Sequence, residues 1–249
     1  MAQLVWDKTG ERLWETGVSH GVIYPYDAST QRYGSGVVWN GLISVTESED
    51  APEAEEGYAD NLLYFRAMPV GKFTGSIEAY TYPDEFAECD GTAHLSSGVG
   101  VHQQQRKPFA FSYRSKIGND VDDENHGYKI HLIWMARAEP SDREYDTVND
   151  SPEAMTFDWD ISADTVEHGF EDFRPFADMT IDSTGVDAET LSTLEGWLYG
   201  TASSAPRMPS PKEVLELVRY TYDGLLDSNG AAILDNGGSA VLARVMNFK

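Results

Sequence analysis

The chain has 249 residues, enough to bury a full core as one large β domain or as one domain plus an extension. Its 18 Lys and Arg stand against 42 Asp and Glu, a formal charge of −24. That is the reverse of a phosphate-neutralising surface, so stable nucleic-acid binding is disfavoured. One cysteine, Cys89, excludes an intramolecular disulfide framework, and no apolar run approaches the roughly 18 residues of a membrane-spanning helix.

From the N-terminus, Met1–Lys8 carries neither a basic region nor an apolar stretch, so no secretory signal is expected and a reducing cytosol suits the lone thiol. Alternation of apolar and polar residues predicts half-buried antiparallel strands near His20–Tyr26 and Gly36–Thr46. Glu47–Asp60 follows with seven acids and no base, including Glu53, Glu55 and Glu56, and reads as a self-repelling mobile loop. A strand over Phe73–Tyr82 ends in a Pro83-Asp84 corner and an acidic turn that closes on Gly91. The one basic cluster, around Arg106-Lys107, flanks the next strand and suits a neighbouring subunit's acids, those of Glu47–Asp60 among them.

Further strands are expected over Phe109–Ile117, Tyr128–Ala138, Met155–Ser162 and Ala177–Ile181. The third places Met155, Phe157, Trp159 and Ile161 on one face and Asp158 and Asp160 on the other. Tyr128–Met135 is more apolar throughout than the other strands, the pattern of a central strand covered on both sides. A short helix is expected near Ser141, whose spacing to Glu144 fits a capping box. A longer one spans Asp187–Gly200, with Asp187 as N-cap, Leu191, Leu194 and Leu198 on one face, and Gly196 suggesting a close packing contact. Thr201–Pro211 reads as a Pro/Ser linker. Beyond it come an amphipathic helix starting at Ser210-Pro211 (Val214, Leu217, Val218, Leu225, Leu226) and a hairpin joining Ala231–Leu234 to Ala240–Phe248 through Asp235-Asn236-Gly237-Gly238. The division expected is thus 1–202 and 203–249.

Catalytic and cofactor signatures are lacking. The six histidines form no HExxH or CxxC context, and no phosphate-binding glycine loop or GxSxG elbow occurs. His131, inside an apolar strand, reads as a satisfied core or interface histidine. Cys89 lies among acids that raise its pKa, a poor setting for a nucleophile. Asp158 and Asp160, about 7 Å apart by strand geometry, have a spacing open to a glycosidase pair, but adjacent acids on a strand are ordinarily a solvated face. No catalytic, cofactor or metal site is expected.

Three blocks, "IEAYTYPDEFAECDG" (77–91), "NDSPEAMTFDWDIS" (149–162) and "DAETLSTLEGWLYG" with "PRMPSP" (187–211), resemble, in this order, the major tail tube protein of long-tailed phages that infect Gram-positive bacteria. The resemblance runs from about Leu4 to about Pro211. It implies a mainly β chain, a β-sandwich or barrel with a flanking α-helix, six copies closing into a ring around a continuous inner β-barrel. Stacked rings would form the virion's tail tube, assembled in the host cytoplasm. Its partners would be other copies and the tape-measure, tail-terminator and distal-tail proteins, with double-stranded DNA passing through unbound. On that reading the candidate lumen or interface residues are Asp158, Asp160, Arg106, Lys107, Glu53, Glu55 and Glu56, and the acidity keeps DNA off the wall rather than serving solubility alone. The alternative is a distal-tail or virion-surface sandwich that stacks host glycans on tryptophans.

Overall fold

The computed structural model describes residues 4–50, 53–68, 71–96, 98–139, 143, 145, 147, 154–170, 173–224 and 242–246, with the backbone alone from residue 219 onward. In chain order the strands are β1 (Leu13–Asp27), β2 (Arg32–Tyr33), β3 (Val37–Trp39), β4 (Leu42–Asp50), β5 (Glu55–Ala59), β6 (Leu62–Ala67), β7 (Lys72–Ala79), β8 (Ala93–Ser96), β9 (Val99–Val101), β10 (Phe109–Asn119), β11 (Asp123–Ala138), β12 (Phe157–Ala163) and β13 (Asp178–Asp182). Helices α1 (Ala188–Tyr199) and α2 (Pro211–Arg219) follow, then β14 (Tyr220–Gly224) and β15 (Leu242–Met246). The chain is mainly β, and each of the seven expected strands is present.

Nine strands form one antiparallel sheet, in the order β2-β1-β10-β11-β12-β7-β4, with β3 also on β1 and β13 also on β11. The expected strand over Gly36–Thr46 is split: β3 pairs with β1, then the chain turns at Gly41 and β4 pairs with β7. Gly41 adopts φ +79°, open to glycine at no steric cost, and its carbonyl accepts the Tyr80 N–H at 2.8 Å. One strand thereby switches partners and bends the sheet around a core. Among the described residues the sheet does not close into a barrel within the subunit.

Two apolar clusters occupy the two faces. One gathers Ile23, Trp39, Ile77, Phe86, Phe109, Phe111, Ile133 and Trp159 on the concave side. The other lies under the helices, where Val22, Tyr24, Ile130, Leu132 and Trp134 meet Leu191, Leu194 and Leu198 of α1 and Val214 of α2. β11 is therefore covered on both faces over Ile130–Ala136, which explains why apolar residues predominate there. α1 starts as expected: the Asp187 carboxylate accepts the Thr190 N–H at 2.9 Å. Gly196 differs from expectation. A Cβ there would meet only Thr201 Cγ2 at 3.4 Å, so no backbone packs close to it.

Three expectations are corrected by long-range pairing. Glu47–Asp50 is the second half of β4, laddered to β7 from Glu47↔Gly75 to Asp50↔Lys72, and Glu55–Ala59 is β5, paired with β6. Backbone hydrogen bonds hold this acidic stretch, and its charges face outward or meet partners. Thr201–Pro211 is no free tether. The Pro206 carbonyl accepts the Gly36 N–H at 3.0 Å, Arg207 N–H donates to the Trp197 carbonyl at 2.7 Å, and Trp134 Nε1 donates to the Pro209 carbonyl at 2.8 Å. Prolines lack a donor but keep their acceptors, so an extended Pro-rich segment can run along the body. α2 has a true capping box: Glu213 accepts from Ser210 N–H at 2.8 Å, and the Ser210 hydroxyl accepts from Glu213 N–H at 3.3 Å. It ends at Arg219, however, because Tyr220-Thr221-Tyr222 enters β14, which pairs with β15. The other half of the expected hairpin, Ala231–Leu234, lies outside the described residues, as does the Ser141–Glu144 capping box.

Candidate assembly surfaces

On the outer side of β4, β7 and β12, every second residue is polar, and the register aligns them in rows. Asp158 lies opposite Glu78, Asp160 opposite Ser76 and Ser162 opposite Thr74. On the far side of β7, Ser44, Thr46 and Ser48 meet the same three residues. The result is a grid of hydroxyls and three carboxylates, ended on one side by Lys72 opposite Asp50 and Arg137 opposite Ser162. The Ser44 hydroxyl donates to Glu78 Oε2 at 3.3 Å. Burial, then the neighbouring charges of Asp160 and Glu78, push the Asp158 carboxyl above its ordinary pKa. Glu78 was not among the expected site residues. Its signal was present, since the alternation of Phe73–Ala79 puts it outward, but only the β7–β12 register brings it beside Asp158. Arg137 of β11 borders the grid and pairs with Asp164 at 3.5 Å.

The acids expected to form a loop sit at a projecting hairpin. Glu53 precedes β5, while Glu55 and Glu56 lie within it, facing β6. Glu56 accepts from the Tyr58 hydroxyl at 2.8 Å and pairs with Arg66 at 3.6 Å. β5 and β6 ladder only with each other. Their large apolar side chains Tyr58, Leu62, Leu63, Tyr64 and Phe65 are between 50% and 79% exposed. Alternation along β6 puts Leu62 and Tyr64 on one face and Leu63 and Phe65 on the other, so neither face is covered.

Arg106 and Lys107 are engaged inside their own subunit. Lys107 is ion-paired with Glu88, and its N–H donates to the Glu88 carbonyl at 3.1 Å. Arg106 Nε donates to the Asp90 carbonyl at 3.2 Å. Asp90 in turn holds Arg143 and the Trp159 indole N–H. The basic pair thus pins the acidic turn, a use its sequence position beside Phe109 did not reveal. Within that turn, burial and then the adjacent Glu88 push the Cys89 thiol up to about 12, leaving it protonated and inert at neutral pH.

A fourth group lies at the open end of the concave side. Glu47 and Glu49 point inward from β4, and the Glu47 carboxylate reaches across to the β10–β11 pair. His131 Nδ1 is 3.4 Å from Glu47 Oε1, and His131 Nε2 is 3.0 Å from the Ser115 hydroxyl. The imidazole stacks on Tyr113 at 4.4 Å between ring centroids, and the Tyr113 hydroxyl also bonds Glu47. His131 is hydrogen-bonded at both nitrogens, as the sequence led one to expect. A cavity of about 600 Å³ opens beside it, lined by Glu47, Glu49, Phe73, Phe176, Asp178 and Arg174 among others. Among the described residues, no group of three or more His, Cys, Asp or Glu side chains is arranged to hold a metal ion. Likewise, no described helix is long and apolar enough to cross a membrane.

No protein-family model and no curated protein matches this chain. Among solved structures, it is similar to a chain of the sheath-tube complex of an extracellular contractile injection system, PVC, in its extended state. The two are 10% identical over 66% of this chain and 89% of that one, with a TM-score of 0.34. A likeness of that size carries no functional weight.

Proposed function

We propose that the chain is a structural virion subunit that associates with copies of itself into stacked hexameric rings, the tail tube of a long-tailed phage of Gram-positive bacteria. The observation that carries self-association is the β5–β6 hairpin. A two-stranded hairpin standing alone is marginal in water, and this one leaves large apolar side chains open on both faces. A partner must cover it, and the excess of acids rules against a nucleic acid in that role. A second copy meets the need without any further component. The ordered sequence blocks support the same reading.

The grid around Asp158, Asp160 and Glu78 supplies a surface of hydroxyls and carboxylates, with Lys72 and Arg137 confined to one end, suited to a lumen through which DNA passes. Like charge across a gap of about one Debye length, roughly 8 Å at physiological salt, keeps phosphates from settling on it. On this reading the tube is built in the host cytoplasm alongside tape-measure, tail-terminator and distal-tail proteins, and the protein is not an enzyme. Electron microscopy of the concentrated protein, alone and seeded with tail-initiator components, tests it. Hollow rings or tubes are expected, and monomers under every condition would sink the proposal. Replacing Asp158, Asp160 and Glu78 together by Lys should make such tubes retain double-stranded DNA at physiological salt, whereas a grid facing outward would leave retention unchanged.

The glycan-binding alternative requires exposed tryptophans. Trp39, Trp134 and Trp159 are buried, and Trp197 is half-buried with Arg207 over its ring at 4.9 Å, leaving Trp6 and Trp14. Quenching of Trp fluorescence in a carbohydrate titration would favour it.

A further inference from the structure

We propose that Glu47 is a latch that fixes the attitude of the arm carrying the β5–β6 hairpin, and that this fixing lowers the concentration at which copies associate. The proposal rests on the self-association reading above for its second half only. Its first half concerns the isolated chain.

The arm leaves the body where β4 and β7 run side by side, between Glu47↔Gly75 and Asp50↔Lys72. Several features hold this root. On the β7 side they are the ladder to β12, down to Phe73↔Ala163, and the buried Phe73 side chain. On the β4 side there are two, of which the β4–β7 ladder is one. A Cβ on Gly75 would lie 2.3 Å from the Thr46 carbonyl oxygen, so glycine alone allows the two backbones to approach this closely. The second is Glu47 itself. It points inward from the terminal strand of the sheet and is bound from the opposite wall by His131 and Tyr113. No other side-chain hydrogen bond or ion pair among the described residues links Glu47–Asp50 to β10 or β11.

The latch is poised rather than permanent. Glu49 and Asp178 face the same space, so three carboxylates share His131, with Arg174 beside them. Burial pushes the Glu47 carboxyl up, but the hydrogen bonds and charge of His131 and the Tyr113 hydroxyl outweigh it and hold the group below its ordinary pKa. Asp178 moves the other way, raised first by burial and then by Glu47 and Glu49. One acid is held in its charged form while its neighbour is pushed away from its own.

Both apolar faces of the hairpin are open while Glu47 is bound, so the latch does not hide the hairpin. Its effect on association is therefore preorganisation: a fixed arm loses less conformational freedom when a partner covers it. Freeing the arm should raise the association threshold by roughly tenfold, the equivalent of one or two side chains newly ordered on binding.

The experiment is hydrogen exchange on the full chain, followed by sedimentation across a concentration series. Glu47→Ala and, as the milder variant that keeps the core filled, Tyr113→Phe are expected to speed exchange in Glu47–Asp50 and Lys72–Gly75 with no change in the protection of β10 and β11. Asp178→Asn, which removes a repelling charge, is expected to slow it. The association threshold should rise in the first two and fall in the third. Unchanged exchange at the arm root in both Glu47→Ala and Tyr113→Phe overturns the latch. Faster exchange with an unmoved threshold overturns the preorganising role. If the unsubstituted protein never associates, the function proposed above fails, and the exchange data alone then decide the latch.

Discussion

Arg114 of β10 reaches the Glu195 carboxylate of α1 at 2.6 Å, joining the helix to the sheet's face. Its guanidinium lies over Tyr128 at 4.4 Å and Tyr199 at 4.8 Å from the ring centroids, and Nε donates to the Tyr199 hydroxyl at 3.0 Å. The Tyr128 hydroxyl donates to Glu195 as well. With side chains 15% and 28% exposed, the pair is mostly desolvated and depends on these extra bonds. Arg114→Ala leaves Glu195 half-buried without its cation and should cost about 2–3 kcal/mol, read from urea unfolding. A double-mutant cycle with Glu195→Gln should show strong coupling. Additive losses would mean that α1 is held by its leucines alone.

Gly196 offers the opposite case. It lies within α1 and has room for a methyl group, so Gly196→Ala should stabilise the protein by about 0.5–1 kcal/mol through helix propensity and a less flexible unfolded chain. Thermal unfolding checks it, and a loss of stability would reveal crowding against Thr201.

The outer grid predicts a pH dependence. Asp158 titrates above its ordinary value, so the folded state holds its proton more tightly than the unfolded state. This site's contribution therefore opposes folding at neutral pH and is relieved as pH falls through the raised folded pKa. Asp158→Asn should raise Tm at pH 7, most at low salt, and the gain should vanish as pH approaches the ordinary Asp range. A gain constant down to pH 4 would trace to packing instead of charge.

A division of the chain at 202/203 would let a truncation after Gly200 fold normally. The packing of Met208 and Val214 in the helix-side cluster, and the Trp134–Pro209 hydrogen bond, argue for a different outcome. Removing everything after Gly200 should uncover α1 and cost several kcal/mol, on the order of two buried apolar side chains plus an orphaned indole N–H. Unchanged stability after that truncation would restore the boundary at 202/203.

What the sequence determined by itself is the class of the long, strongly patterned elements. The two-residue period of Met155–Ser162, the largely apolar run of Tyr128–Met135 and the capped leucine face of Asp187–Gly200 are local patterns, and side-chain direction follows from them wherever the strand or helix lies. Tertiary structure decided everything that depends on which strand meets which. Glu47–Asp60 looked like a loop because its composition is self-repelling, yet β7 supplies a backbone ladder that composition cannot show. Asp158 and Asp160 were visible as an acidic face, but Glu78 joins them only through register. Arg106 and Lys107 looked available until the turn at Glu88–Asp90 folded beneath them. Glu47, His131 and Tyr113 come from three strands, up to 84 residues apart in the chain; Tyr113 and His131 meet through the β10–β11 register, and Glu47 reaches them from β4. Local periodicity is a property of neighbouring residues, whereas pairing and charge environment are set by the closure of long loops, which leaves no trace in the short-range pattern.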